Sequence, residues 1–173
     1  MRGCKVWGVL ALGCVAASAG AANGGGPIAS GVFERAMMGS HNAARRDAGV
    51  PDLAWDAGLA ADARDWADHL AETGRFEHST ARKSEGENLF MGSAGSYSYE
   101  EMVRFWVEEG RNFTDGVFPA ISINGQWSSV GHYSQIVWRD TTRVGCALAT
   151  GDGHDYLVCR YSPPGNVWGR KVF

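Results

Sequence analysis

The sequence has little of what marks most enzymes, membrane proteins or nucleic-acid-binding proteins. It contains no G-x-S-x-G nucleophile elbow, no H-E-x-x-H motif and no phosphate-binding glycine loop. Bases do not exceed acids, with 16 Lys and Arg against 19 Asp and Glu, so a basic nucleic-acid-binding face is not expected. Cysteine is scarce, with four in 173 residues, which excludes a framework of many disulfides. Glycine, by contrast, is abundant at 24 residues and predicts many turns.

The one long hydrophobic run lies at the start of the chain, over residues 6–19, after Arg2 and Lys5. Small residues follow it, and together these features predict a secretory signal peptide over residues 1–21. The run is too short to span a bilayer comfortably, so we expect no transmembrane segment. Export predicts an extracellular protein, with the periplasm or a lipid anchor at Cys14 as alternatives. Cleavage removes two bases and no acids, which changes the formal charge from −3 to −5.

Cleavage also leaves two cysteines, Cys146 and Cys159. If residues 151–154 form a four-residue hairpin loop, these two cysteines face each other across neighbouring strands. Directly opposed residues of a twisted hairpin are close enough for a disulfide. Because an exported chain meets oxidising conditions, we predict the disulfide, with two reduced thiols in the core as the alternative.

The chain then divides into a glycine-rich flexible leader at residues 22–31 and a domain over residues 32–173. Hydrophobic residues in the first half of this domain recur with helical spacing. Three helices are predicted: one from Val32 that ends at Gly49, one between an Asp56 cap and Gly74, and one opened by a Ser98–Glu101 capping box. We expect Met102, Val103, Phe105 and Trp106 on the buried side of the third helix.

The second half changes to the patterns of β-strands. Strands are predicted at Gln135–Trp138, Val144–Ala149 and Tyr156–Tyr161, with a shorter candidate at Asn88–Met91. Helices followed mostly by strands predict an α+β domain built in layers.

Five histidines remain after cleavage. His41 is predicted to make a buried structural hydrogen bond on the first helix. His69 and His154 are predicted to be solvated and without a functional role. His78 and His132 lie in loops or at the edges of elements, and composition alone gives no reason to pair them.

Two long segments resemble the signatures of the CAP superfamily, which comprises the cysteine-rich secretory proteins, insect antigen 5 and the plant pathogenesis-related proteins. Residues 131–138 read Gly-His-Tyr-Ser-Gln-Ile-Val-Trp, and residues 156–167 read Tyr-Leu-Val-Cys-Arg-Tyr-Ser-Pro-Pro-Gly-Asn-Val. Shorter matches lie upstream, among them His41-Asn42 with Arg45, so the resemblance covers about Phe33 to Trp168. It implies a three-layer α-β-α sandwich.

The same resemblance implies a cleft lined by two histidines and two glutamates: His78, His132, Glu87 and Glu109. Two neutral imidazoles can hold Zn²⁺ or another divalent cation, with water in the remaining positions. The carboxylates would then orient the imidazoles or the bound water. The alternative is a hydrogen-bonded polar cluster that holds no metal.

The resemblance implies an extracellular binding protein whose ligand is a sterol or fatty acid, a surface glycan or a protein. The alternative is a metal-dependent hydrolase or protease in which Glu87 or Glu109 acts as general base. Aromatic residues in the 113–127 segment would offer apolar surface near the cleft or else pack as an ordinary loop: Phe113, Phe118 and Trp127.

Overall fold

The computed structural model describes residues 27–82 and 84–173. The predicted signal peptide and the first part of the leader lie outside the described residues. In chain order the elements are α1 (Pro27–Asp47), β1 (Ala54–Trp55), α2 (Ala57–Thr73), β2 (Gly86–Ser93), α3 (Tyr99–Glu108), α4 (Gly131–Ile136), β3 (Arg143–Gly151) and β4 (His154–Ser162), with 3-10 turns at Glu109–Asn112 and Trp127–Ser129. None of the described helices is both long enough and apolar enough to cross a membrane.

Helix α1 begins at Pro27, earlier than the predicted start at Val32, so the last residues of the predicted leader are helical. Proline favours the first turn of a helix because its fixed φ suits the helix and its missing N–H is not needed there. The helix ends at Asp47, and Gly49 follows with a φ of 69°.

The predicted caps of α2 and α3 are both confirmed. The Asp56 side chain accepts hydrogen bonds from the backbone N–H groups at the start of α2, and Gly74 ends that helix with a left-handed φ of 68°. Ser98 and Glu101 form the reciprocal capping box of α3. Phe105 differs from the prediction, because it is 42% exposed and stacks on Phe90 at the surface rather than in the core.

The four strands form one sheet in the order β1-β3-β4-β2, with β1 parallel to β3 and the other pairs antiparallel. Cys146 lies opposite Cys159 as predicted, and the two form a disulfide. The hairpin loop is shorter than expected, because Gly151 and His154 also pair across it. This pairing leaves the predicted register unchanged.

Helices cover both faces of the sheet, which confirms the α-β-α sandwich. Helix α2 packs on one face, where alanines of α2 meet Ala147 and Val158. Helices α1, α3 and α4 cover the other face, which carries the larger core and includes Cys146 and Cys159. Successive strand residues point to opposite faces, so each of β3 and β4 contributes to both cores.

The strand predicted at Gln135–Trp138 is wrong, because these residues end α4 and continue into the loop after it. All four side chains are buried, so the run lacks the exposed positions of a surface helix and reads like a buried strand. Arg45 explains why the helix stops there. Its guanidinium donates to the backbone carbonyls of Ile136 and Trp138, which a longer helix would use internally.

Candidate metal and ligand site

A cleft of about 540 Å³ opens at the edge of the sheet beside strand β2. His78, which lies on the segment between α2 and β2, and His132, the second residue of α4, both line it. Glu87, near the start of β2, also lines the cleft, whereas Glu109 lies behind His132, just after α3. A Cβ atom at Gly86 would overlap the end of the Gln135 side chain, so a larger residue here would displace the Gln135 amide from its bond with the Gly165 N–H.

Glu87 orients His78. The Nδ1 atom of His78 lies 2.6 Å from Oε1 of Glu87, and the same oxygen accepts the backbone N–H of Ser79 at 3.1 Å. A carboxylate only accepts hydrogen bonds, so the imidazole donates its Nδ1 proton. In the neutral imidazole, this bond leaves the lone pair on Nε2, on a side chain that is 51% exposed.

Glu109 holds His132 in the same way. Its Oε1 lies 2.6 Å from Nδ1 of His132, and its Oε2 accepts the backbone N–H groups of His132 and Tyr133 at 2.9 and 3.2 Å. The indole of Trp106 stacks on the His132 ring, with centroids 5.8 Å apart. This ring is therefore fixed on two sides, and in the neutral imidazole the lone pair lies on Nε2.

A buried arginine completes the support of His78, and sequence reasoning missed it. Arg160 lies opposite Glu87 in the sheet and is 3% exposed. Its Nη2 is 3.0 Å from Oε2 of Glu87, an ion-pair distance without hydrogen-bond alignment, and its Nη1 donates to Glu85 at 3.4 Å. A charged residue in an otherwise apolar strand was the available signal, because a buried charge needs a partner.

His41 is structural, as predicted. Its Nδ1 donates to the Met37 carbonyl at 2.8 Å, and its Nε2 accepts from the Tyr161 hydroxyl at 2.8 Å. Burial lowers the pKa of His41 to about 4 and raises the pKa of Tyr161 well above its usual value. The amide of Asn88 donates both to the Tyr161 hydroxyl and to the backbone carbonyl of His132, which connects the core to the cleft.

His69 and His154 lie away from the cleft, as expected, although both are half-buried rather than fully solvated. His69 stacks on Trp66 with ring centroids 4.5 Å apart. His154 contacts the carbonyl of Asp152 in the hairpin turn.

Aromatic side chains form one wall of the cleft. Phe118 is buried, and its ring lies 5.2 Å from that of Trp127 and 5.7 Å from that of Trp168. Sequence reasoning included the first two and missed Trp168, which follows the second signature. Phe113 instead packs on Tyr133 on a different side of the domain.

Within the described part of the chain, the one group of three potential metal ligands whose donor atoms lie within 4.8 Å of one another is His41 with Cys146 and Cys159. These two sulfur atoms form the disulfide and both His41 nitrogens are hydrogen-bonded, so the group is not a metal site. In the cleft, the protein offers two imidazole nitrogens on His78 and His132.

Comparison with known proteins agrees with this architecture. The profile of the cysteine-rich secretory protein family, CAP, matches residues 38–161. Pathogenesis-related protein 1B of Nicotiana tabacum is 37% identical over 137 residues, which cover 79% of this chain and 78% of the relative. Pathogenesis-related protein 1 of Arabidopsis thaliana is 36% identical over 148 residues, covering 85% of this chain and 86% of the relative. Secreted protein RBT4 of Candida albicans is 35% identical over 79% of this chain, but this match spans 36% of its own length.

Solved structures share the fold. The crystal structure of NaASP2 with Zn²⁺ aligns with a TM-score of 0.69 at 24% identity, over 82% of this chain and 84% of that one. Hookworm platelet inhibitor aligns with a TM-score of 0.63 at 21% identity, over 83% of this chain and 75% of that one. At these identities, the likeness shows the fold alone.

Proposed function

Because the chain belongs to the cysteine-rich secretory protein family, CAP, we propose that it is an extracellular binding protein whose cleft can hold a divalent cation. The relatives include a protein named as secreted, and a disulfide suits an oxidising compartment. Zn²⁺ was present in the NaASP2 structure, which supports the choice of cation for the test. The ligand classes that the family suggests remain a sterol or fatty acid, a glycan or a protein.

One observation carries the metal proposal: each cleft histidine donates a hydrogen bond from Nδ1 to a carboxylate, which leaves its Nε2 atom free to bind a metal. Glu87 fixes His78, and Glu109 fixes His132, each at 2.6 Å. Carboxylates in this position set the tautomer and make the opposite nitrogen a better ligand. Two imidazoles fit a zinc ion whose other ligands are water, and this donor set predicts modest, exchangeable binding.

The geometry favours binding over hydrolysis. Both carboxylates are already engaged by imidazoles and backbone amides, and Glu87 also faces Arg160. Neither is therefore placed as a general base for a water in the cleft. Chelator-sensitive turnover of peptides or esters that is lost in His132→Ala would contradict this and support a metal-dependent hydrolase.

Calorimetric titration of the protein with Zn²⁺ tests the site. We expect His78→Ala and His132→Ala each to abolish binding, because one imidazole is a weak anchor. Glu87→Gln and Glu109→Gln should weaken binding by roughly 10- to 100-fold, the usual effect of losing an orienting partner. His69→Ala is the matched control, because this histidine lies outside the cleft.

Acid should also displace the metal, because protons compete for imidazole nitrogen. We therefore expect Zn²⁺ to bind at pH 7.5 and to be largely lost at pH 5. Binding by the double variant His78→Ala/His132→Ala as tight as that of the wild-type protein would overturn the proposed site.

A further inference from the structure

Two tryptophan side chains that line the cleft are open to solvent. Trp168 is 70% exposed and Trp127 is 41% exposed, and both rings pack around the buried ring of Phe118. Exposed apolar surface that gathers in a groove is a common mark of a ligand-binding site. Both indoles line the cleft that His132 also lines.

The backbone holds this aromatic wall in place. Gly169 N–H donates to the Phe118 carbonyl at 3.0 Å, and Phe118 N–H donates to the Arg170 carbonyl at 2.9 Å. A further bond from Arg170 N–H to the Val167 carbonyl closes the turn that carries Trp168. A ring positioned before the ligand arrives loses little conformational entropy on binding.

The cleft is also lined by polar and charged side chains. His78, Arg82 and Glu85 line it, and the half-buried Arg82 has no ion pair among the residues that the structure describes. A wholly apolar ligand such as a sterol would cover these groups without replacing their hydrogen bonds to water, which is costly. The cleft therefore suits a ligand with one apolar face and a rim of hydrogen-bonding groups.

We infer that the cleft binds a neutral carbohydrate chain, with a sugar ring stacked on Trp168 and its neighbour Trp127. This inference rests on the proposed role of the same cleft as an extracellular binding site. A pyranose ring has a face of C–H bonds that fits an indole, and its hydroxyls can accept hydrogen bonds from the Arg82 guanidinium. The formal charge of −5 without residues 1–21 favours a neutral chain over an anionic one.

Co-sedimentation with insoluble chitin, cellulose and β-1,3-glucan tests this inference. The protein should be retained by at least one of them. Trp168→Ala should weaken the affinity for that polysaccharide about tenfold or more, because it removes the stacking surface. Trp168→Phe should retain most of the binding, whereas Trp168→Leu should not, because leucine is apolar but has no flat face. Ile123→Ala is the control, since Ile123 is also 70% exposed but lies outside the cleft.

Three results would overturn the inference: no retention by any of the polysaccharides, equal retention of Trp168→Ala, or full rescue by Trp168→Leu. Phosphatidylcholine vesicles with and without cholesterol provide the competing arm, and sterol-dependent binding without polysaccharide retention would make the ligand a lipid. Zn²⁺ calorimetry on Trp168→Ala separates this inference from the metal proposal. If the wild-type protein binds Zn²⁺ but is not retained by any polysaccharide, only the carbohydrate inference is refuted. If it is retained by a polysaccharide but does not bind Zn²⁺, only the proposed metal site is refuted.

Discussion

The imidazole of His41 lies in the core as a neutral ring, and this makes stability depend on pH. Burial lowers its pKa to about 4, whereas an unfolded chain has a histidine pKa near 6.5. Between these values the unfolded chain binds more protons than the folded one, so stability falls as the pH falls. We expect His41 alone to cost about 3 kcal/mol of unfolding free energy between pH 7 and pH 4.

Urea unfolding at pH 7 and at pH 4.5 checks this prediction. His41→Gln should lose part of the pH dependence, because glutamine does not titrate, even if the variant is less stable throughout. His154→Gln is the control, since His154 lies in the hairpin turn. An unchanged pH dependence in His41→Gln would show that other groups cause it.

Arg45 is a second buried residue whose role is structural. Its guanidinium donates to four backbone carbonyls, those of Pro51, Ile136, Trp138 and Thr141. Arg45→Met should destabilise the domain by about 3 kcal/mol or more, because buried carbonyls would lose their partners. Arg46→Met is the matched control, because it removes only an exposed ion pair with Asp52 and should cost less than about 1 kcal/mol. Equal effects in chemical denaturation would contradict this assignment.

At this scale the motif resemblance named some of the residues that line or support the cleft and did not name others. His78, His132, Glu87 and Glu109 follow from the motif resemblance, which does not say which glutamate meets which histidine. In the structure Glu87 contacts His78 and Glu109 contacts His132. Arg160 and Trp168 could not be assigned in the same way. Their roles depend on which strand lies opposite β4 and on the turn that returns to Phe118, and both are tertiary contacts.

Helices α2 and α3 are stabilised at their ends by capping hydrogen bonds. The Ser98 side chain accepts a hydrogen bond from the backbone N–H of Glu101, and the Glu101 carboxylate accepts one from the backbone N–H of Ser98. Ser98→Ala should lower the unfolding free energy by about 1 kcal/mol, because the first turn of α3 loses its cap. Ser96→Ala controls for the loss of a surface hydroxyl nearby, and thermal denaturation that shifts equally in both variants would argue against the cap.

Helices with local start and stop signals were predictable, whereas α4 and β1, which depend on distant contacts, were not. Asp56 and Gly74 are capping residues of α2 that act on their own neighbours in the chain. The Gln135–Trp138 segment is different, since its conformation depends on Arg45 and on burial from all sides. Strand β1 has only two residues, too few to show the alternating pattern of a strand in the sequence. It forms because it pairs with β3.

The disulfide acts on the domain as a whole, because it joins the two central strands within the larger core. The linked cysteines are 13 residues apart, and closing such a loop in the unfolded chain is worth about 3 kcal/mol in the chain-entropy model. Cys146→Ala/Cys159→Ala should therefore melt at a lower temperature than the oxidised protein. The intact mass of the secreted protein should be lower than that of the reduced form by two hydrogens. Two thiols that alkylate in the native protein would contradict the predicted bond.

Hydrogen bonds connect His41 through Tyr161 and Asn88 to the backbone of His132. They join the core of the domain to the cleft. We predict from these contacts that occupancy of the cleft and stability of the core are coupled, and such a coupling is reciprocal. A ligand that fixes the His132 segment should slow amide exchange along α1, far from where it binds. Asn88 lies where the core and the cleft meet, because it lines the cleft and also donates to the Tyr161 hydroxyl, so Asn88→Ala should both weaken a cleft ligand and loosen the core around Tyr161.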